Sequence, residues 1–154
     1  MRKTNFLLII SLTFLASGCQ KDNEEVTRKD MLCGKNWVLI SEIINPALDV
    51  DGTLITDLFS QYDACDKDDI GKFNTNGTYT LEEGKTKCDG TDPQVYETGT
   101  WSFNSDETIL IVTPSSGSVD ERKIQGLTVN KLILTEEITY VNITYKITST
   151  YQSI

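Results

Sequence analysis

Acid and base chemistry in this chain must come from carboxylates, lysines and tyrosines, because its 154 residues include no histidine. That excludes Ser-His-Asp and Cys-His nucleophile arrangements and every imidazole metal site. The densest acidic run is Asp63-Ala64-Cys65-Asp66-Lys67-Asp68-Asp69-Ile70-Gly71. Asp66, Asp68 and Gly71 match the first, third and sixth places of an EF-hand loop. Ile70 and Gly77 occupy the fifth and twelfth, where oxygen ligands are required, so the loop fails. A looser calcium cage drawing on Asp63 or Glu82 is the alternative to a solvated, turn-forming stretch. Glu82-Glu83 and Glu136-Glu137 are adjacent in strand-like sequence, where neighbours point to opposite faces, so neither pair makes a glycosidase dyad. We assign no catalytic residue, metal ligand or cofactor, and expect a non-enzymatic protein.

The cysteines carry more information. Arg2 and Lys3 precede the apolar run Asn5 to Leu15, and Ala16-Ser17-Gly18 then places small residues directly before Cys19. That order is a secretory signal, and its apolar run is too short to span a bilayer comfortably. Leu15-Ala16-Ser17-Gly18-Cys19 resembles the lipobox cut by lipoprotein signal peptidase. The resemblance implies cleavage before Cys19, acyl chains on its sulfur and new amino terminus, and a partner that is the membrane itself. Several chains are needed because each buried methylene contributes only about 0.8 kcal/mol. The expected location is the cell envelope, lipid-anchored at the outer membrane and facing the periplasm or the cell surface. Cys33, Cys65 and Cys88 show no CxxC spacing, so an oxidising compartment leaves one disulfide and one free thiol. Three pairings are open. Polar, loop-like surroundings favour Cys65 with Cys88, which leaves Cys33 as a small buried hydrophobe.

Charge narrows the partners. The chain carries a net formal charge of −9, which becomes −11 once Arg2 and Lys3 leave with residues 1–18. Such a surface repels nucleic acid and anionic headgroups. Residues 19–29, beginning Cys19-Gln20-Lys21-Asp22-Asn23-Glu24-Glu25, read as a lipidated flexible tether. The lysine followed by acids also resembles a short surface-export signal of some Gram-negative lipoproteins. Residues 30–154 form one folded domain.

Within that domain the hydrophobic period is two. A strand over Asn36–Ile44 should stop before Asn45-Pro46. Thr56 to Tyr62 reads as a short helix with Thr56 as its N-cap and Leu58, Phe59 and Tyr62 facing inward. Ile70–Phe73 and Thr78–Glu82 flank Asn74-Thr75-Asn76-Gly77, a hairpin signal because Asn and Gly tolerate positive φ. Strands follow at Val95–Phe103, Thr108–Thr113, Val119–Leu127 and Lys131–Glu136. The last alternates, with Val141, Ile143, Tyr145 and Ile147 on one face. About eight strands joined mostly by hairpins predict an all-β antiparallel up-and-down barrel, with a two-sheet sandwich as the alternative.

Leu32-Cys33-Gly34-Lys35-Asn36-Trp37, Phe73 with Asn76-Gly77-Thr78-Tyr79, Gly99-Thr100-Trp101-Ser102-Phe103 and Leu127 to Leu134 resemble the lipocalin-like domain of bacterial envelope lipoproteins. The likeness covers roughly residues 30 to 150 and implies an eight-stranded barrel with one short helix, though fold alone fixes no ligand. In such a barrel Trp37 and Trp101 either line a calyx for a small apolar ligand or fill the core. Tyr79, Tyr96, Tyr140, Tyr145 and Tyr151 would make a glycan platform only if several faced solvent together. The loops Asp49 to Asp66 and Gly84 to Pro93 are the expected contact region. The expected role is ligand binding or surface display from a lipid anchor. The alternative is an accessory subunit of an outer-membrane complex that docks an envelope protein.

Overall fold

The computed structural model describes residues 25–154. The expected signal segment, Cys19 and the tether through Glu24 lie outside the described residues.

A five-residue helix comes first (α1, Arg28–Leu32), within and just after the stretch read as a tether. It forms because Thr27 and Asp30 build a capping box: the Thr27 hydroxyl accepts from the Asp30 N–H at 3.1 Å, and the Asp30 carboxylate accepts from the Thr27 N–H at 3.0 Å. Lys35 donates to the Asp30 carbonyl at 2.8 Å. Gly34, at φ 69°, turns the chain into the first strand in a left-handed conformation that favours glycine.

Nine strands follow: β1 (Asn36–Val50), β2 (Thr53–Asp57), β3 (Ile70–Phe73), β4 (Thr78–Glu82), β5 (Val95–Phe103), β6 (Ile109–Pro114), β7 (Asp120–Leu127), β8 (Lys131–Tyr140) and β9 (Ile143–Ser153). All pairings are antiparallel. β1 and then β3 through β9 pair in chain order, and β1 pairs with β9 from Trp37↔Ser153 to Asn45↔Lys146. This seals eight strands into a barrel, the expected all-β architecture. β2 is the extra strand, added to the far half of β1 where β3 no longer reaches.

Three local expectations are corrected. β1 does not end before Asn45-Pro46; it runs on through a cis Asn45–Pro46 bond to Val50. Pro46 has no N–H to give a ladder, and it falls where β1 shifts register against β2, between Ile43 and Leu48. The helix expected from Thr56 is reduced to one turn. Thr56 and Asp57 belong to β2, and Phe59–Gln61 form a 3-10 turn, within which the Ser60 N–H donates to the Asp57 carboxylate at 3.0 Å. Pairing of Asp57 with Ile43 takes the first residues of the stretch that local propensity assigned to helix. β9 also begins later than expected, because Val141 and Asn142 form the turn, at φ 48° and 61°.

One end of the barrel is closed by short turns and by α1. The Asn74–Gly77 hairpin forms as expected, with Gly77 at φ 85°. Its carbonyls then serve Trp101, whose backbone N–H donates to the Gly77 carbonyl at 2.8 Å and whose indole N–H donates to the Asn74 carbonyl at 2.9 Å. The Trp37 indole donates to the Leu32 carbonyl at 2.8 Å, tying the helix to the barrel floor. Leu32, Cys33, Trp37, Phe73, Trp101, Leu110, Leu132 and Leu134 form the core at this end, with Trp101 edge-on to both Phe73 and Phe103. Buried indoles need a hydrogen-bond partner, and both have one.

Candidate functional site

The core fills only the closed half. Beyond it the barrel encloses a cavity of about 570 Å³. Its inner surface is the exposed side of the core itself: Trp37, Phe73, Leu110, Leu132 and Leu134, continued by Leu39, Leu81 and Val112. Its upper surface is polar, with Glu42, Asp66, Asp69, Glu97, Asp120 and Arg122 among the lining residues. Strand direction explains the gradient. Glu97, Asp120 and Arg122 lie near the open-end starts of β5 and β7, whereas Leu110, Leu132 and Phe73 lie on the closed-end parts of β6, β8 and β3.

Four tyrosines line the cavity at two depths. Tyr79 and Tyr151 sit low, opposite Phe73 and Leu132 in the ladders, and burial pushes both phenols above their ordinary range. Tyr62 and Tyr96 sit at the mouth. Each donates its hydroxyl to a carboxylate, Tyr62 to Glu42 and Tyr96 to Asp69 at 2.6 Å. Burial first, and then these carboxylates, hold both phenols protonated well past neutral pH. Glu42 is 8 % exposed and its other oxygen accepts from the Ser149 hydroxyl at 2.7 Å. Glu42 therefore joins β1, β9 and the segment after the 3-10 turn.

Among the described residues Arg122 is the cavity's one cation, and it is already paired. Its Nε lies 2.9 Å from Asp120, and its terminal nitrogen lies 3.4 Å from Glu136. Burial opposes the guanidinium charge, but Tyr151, Asp120 and Glu136 outweigh it and hold the group protonated. Asp69 is the opposite case. Burial raises its carboxyl above the usual range, hydrogen bonding by Tyr96 and the Gly84 backbone only partly offsets this, and Asp66 and Asp68 add repulsion. Its Oδ2 accepts from Tyr96, while Oδ1 is closed off from solvent.

The mouth is stapled. A disulfide joins Cys65 in the β2–β3 loop to Cys88 in the β4–β5 loop, with Cα atoms 5.2 Å apart, as the loop-like surroundings favoured. Asp68 clamps the same two loops, accepting from the backbone N–H groups of Lys85 at 2.7 Å and Thr86 at 3.0 Å and from the Thr86 hydroxyl at 2.9 Å. Gly84 permits this contact, because a Cβ there would stand 2.0 Å from the Asp68 carbonyl oxygen. Of the two expected contact loops, Asp49 to Asp66 gives the cavity Tyr62 and Asp66, while no residue from Gly84 to Pro93 is among its lining. Among the described residues Cys33 is the free thiol, buried in the core as expected, and burial raises its pKa.

The other sequence candidates separate. Trp37 lines the cavity and also belongs to the core, whereas Trp101 belongs to the core and is not among the cavity-lining residues. Of the five platform tyrosines, Tyr79, Tyr96 and Tyr151 line the cavity, Tyr140 is exposed beside the β8–β9 turn, and Tyr145 is buried. They make no common surface. Among the described residues, the one group with metal-ligand spacing is Cys65, Asp66 and Cys88, whose two sulfurs are spent on the disulfide. Glu82 pairs with Lys72 at 2.6 Å, away from any cage with Asp63.

Sequence reading passed over Glu42, Asp69 as a cavity residue, and Arg122. Two signals were present. Glu42 interrupts an otherwise apolar strand, and Asp120, Arg122 and Ile124 share one face of β7 in alternation with Glu121 and Lys123.

Residues 16–152 match the model of a family described as a domain of unknown function, DUF5004. The chain belongs to that family. No curated protein matches it.

Proposed function

We propose that this member of the family is a lipid-anchored, lipocalin-like binding protein of the bacterial envelope, non-enzymatic, whose cavity holds a small amphipathic molecule. The observation that carries the reading is the cavity itself: about 570 Å³, apolar below, polar above, with a disulfide across its rim. That size lies within the range of small-molecule sites, roughly 300–1,000 Å³. A barrel filled by its own side chains would have no such space. The anchor rests on the order of charge, apolar run, small residues and Cys19 in the sequence. Lipid would fix the location, the segment after Cys19 would give reach, and the stapled rim would hold the entrance in shape.

The test uses the neutral polarity-sensitive dye N-phenyl-1-naphthylamine with the full chain. Its fluorescence should rise on binding, and a Val112→Trp variant that still unfolds cooperatively should lose most of that rise, because the indole occupies the space. No enhancement in the wild type, or equal enhancement in both, refutes the cavity reading. Separately, cells expressing the full chain should label it with radioactive palmitate, and Cys19→Ala should abolish the label. Persistence of the label refutes the anchor.

A second reading, an accessory subunit that docks an envelope protein, has one observation in its favour. The β1–β2 and β8–β9 hairpins project past the last β1–β9 rung, and Leu54, Tyr140 and Val141 on them are 69 %, 64 % and 71 % exposed. Replacing all three with serine should then release a crosslinked partner from the envelope while leaving dye binding intact; a crosslink that survives the triple change refutes this reading.

A further inference from the structure

We infer that the cavity selects a neutral amphipathic molecule whose polar group is a carbonyl, and that the Tyr79 hydroxyl receives its oxygen with Tyr151 as a second donor. This rests on the cavity being the binding site and names the class of its ligand.

Four tyrosines line the cavity, and two of their hydroxyls are already committed. Tyr62 donates to Glu42, and Tyr96 donates to Asp69 at 2.6 Å. Tyr79 and Tyr151 differ. Among the described residues neither hydroxyl donates to a protein acceptor, and neither oxygen is closed off from solvent as the Asp69 Oδ1 is. Both side chains point inward from ladder positions opposite core residues, Tyr79 opposite Phe73 and Tyr151 opposite Leu132, so the open space they meet is the cavity. Of the two, Tyr79 is the freer: the Ser149 hydroxyl lies near Tyr151, though its own proton goes to Glu42 at 2.7 Å. Burial keeps both phenols protonated well past neutral pH, so each brings a hydrogen to the cavity. They come from strands that do not pair, β4 and β9, and the Arg122 charge acts on both. The three groups therefore face one region of the cavity.

Donors that lack acceptors decide the class of ligand. A molecule that fills the cavity takes water from these hydroxyls and must supply an acceptor in its place, or leave them unpaired at a cost. A hydrocarbon supplies none, and a site built with hydrogen-bonding groups rejects the analogue that lacks their partner. A carboxylate supplies one but carries charge into a field of its own sign. Glu97 is the strongest charge acting on Tyr79, and Glu42 and Asp120 oppose Arg122 at Tyr151. Arg122 does not reverse that field, because Asp120 binds it at 2.9 Å and Glu136 lies 3.4 Å away. Like charges at a site shielded from water select against the anion. A protonated amine brings further donors to hydroxyls that need an acceptor. A carbonyl oxygen has two lone pairs, no net charge and no proton of its own to place. Ketones, esters and amides share it. The apolar body then rests on the floor formed by Trp37, Leu110 and Leu132.

The test displaces N-phenyl-1-naphthylamine from the full chain with three molecules built on one apolar body. They are 1-acetyladamantane, 1-ethyladamantane and adamantane-1-carboxylate: a ketone, its hydrocarbon isostere and an anion. The ketone should bind at least tenfold more tightly than either of the others. Tyr79→Phe removes one hydroxyl and keeps the ring, and should cut the ketone's advantage over the hydrocarbon at least threefold. The double variant Tyr79→Phe, Tyr151→Phe should reduce that advantage to less than twofold without weakening the hydrocarbon. The hydrocarbon thereby reports that each variant is folded and its cavity intact. A hydrocarbon or a carboxylate that binds wild type as tightly as the ketone overturns the inference and leaves the cavity reading standing. A ketone advantage that survives the double change does the same, as does a dye that binds and is displaced by none of the three. If the dye itself gives no enhancement, the cavity reading falls and the inference falls with it.

Discussion

Removing the Cys65–Cys88 bridge should destabilise the domain by about 3.4 kcal/mol, and nearly all of that loss should arise in the unfolded chain. The two cysteines are 23 residues apart. The chain-entropy relation for a loop of that length gives roughly −11 cal/mol/K, or about 3.4 kcal/mol at 25 °C. The folded state should change little, because Asp68 still ties the same two loops through three hydrogen bonds and Gly84 still packs on its carbonyl. The assay is urea unfolding of the Cys65→Ser, Cys88→Ser double variant, followed by tryptophan fluorescence. The midpoint should fall and the m value should rise, since an uncrosslinked chain exposes more surface on unfolding. Wild type treated with dithiothreitol should reproduce the variant, because Cys33 is buried and cannot exchange into the bridge while the fold holds. A loss below about 1 kcal/mol with an unchanged m value would refute the entropic account. A loss well above 5 kcal/mol would show instead that the bridge holds the native mouth together.

Other changes test other parts of the structure. Asp69→Asn should stabilise the protein at pH 7 and do so much less at pH 3, read from urea midpoints. The Asp69 carboxyl is raised in the folded state, so between the ordinary carboxyl range and that raised value the fold binds a proton the unfolded chain has released, and stability falls as pH rises. A pH-independent difference would contradict this. Gly99→Ala should cost roughly 1–3 kcal/mol, because its Cβ would stand 2.3 Å from the Thr113 carbonyl oxygen and 2.9 Å from the Pro114 Cα. Gly126→Ala, whose Cβ would meet only the Ile133 side chain at 3.6 Å, should be neutral or mildly stabilising, and equal costs at the two sites would argue against the close approach of β5 and β6. Val141→Asn should raise stability by about 1 kcal/mol, because a β-branched residue sits at φ 48° in a two-residue turn that favours Asn; an unchanged melting temperature would place the strain elsewhere.

Strand order and hairpins were legible because they are written in short-range alternation and turn chemistry. Asn74 to Gly77 needed nothing beyond its own residues to be recognised as a turn, and the glycine does adopt positive φ. The errors fell where a distant strand overrode local preference. Thr56 to Tyr62 has an N-cap and helical spacing, yet β1 claims its first residues as a ladder and leaves one turn. The start of α1 was hidden in a polar stretch, where only the Thr27 and Asp30 pair marks it. Pro46 read as a stop because a proline cannot serve a regular ladder; a register shift lets β1 carry it.

Composition, the absence of histidine, the cysteine arithmetic and the two-residue period settle from the chain alone that the domain is acidic, all-β and without imidazole chemistry. Alternation tells which side chains face in, but not whether the inside is full. That answer depends on closure: β1 must meet β9 for Glu42 to reach Ser149, 107 positions away, and for Trp37 and Leu132 to become the bottom of one space. The polar mouth is likewise a meeting of remote segments, with Asp69 delivered by the end of the β2–β3 loop and Tyr96 by the start of β5, next to the loops that the disulfide binds together. Local sequence fixes direction, while volume and charge at a site are sums over strands far apart in the chain, and such sums exist only after folding.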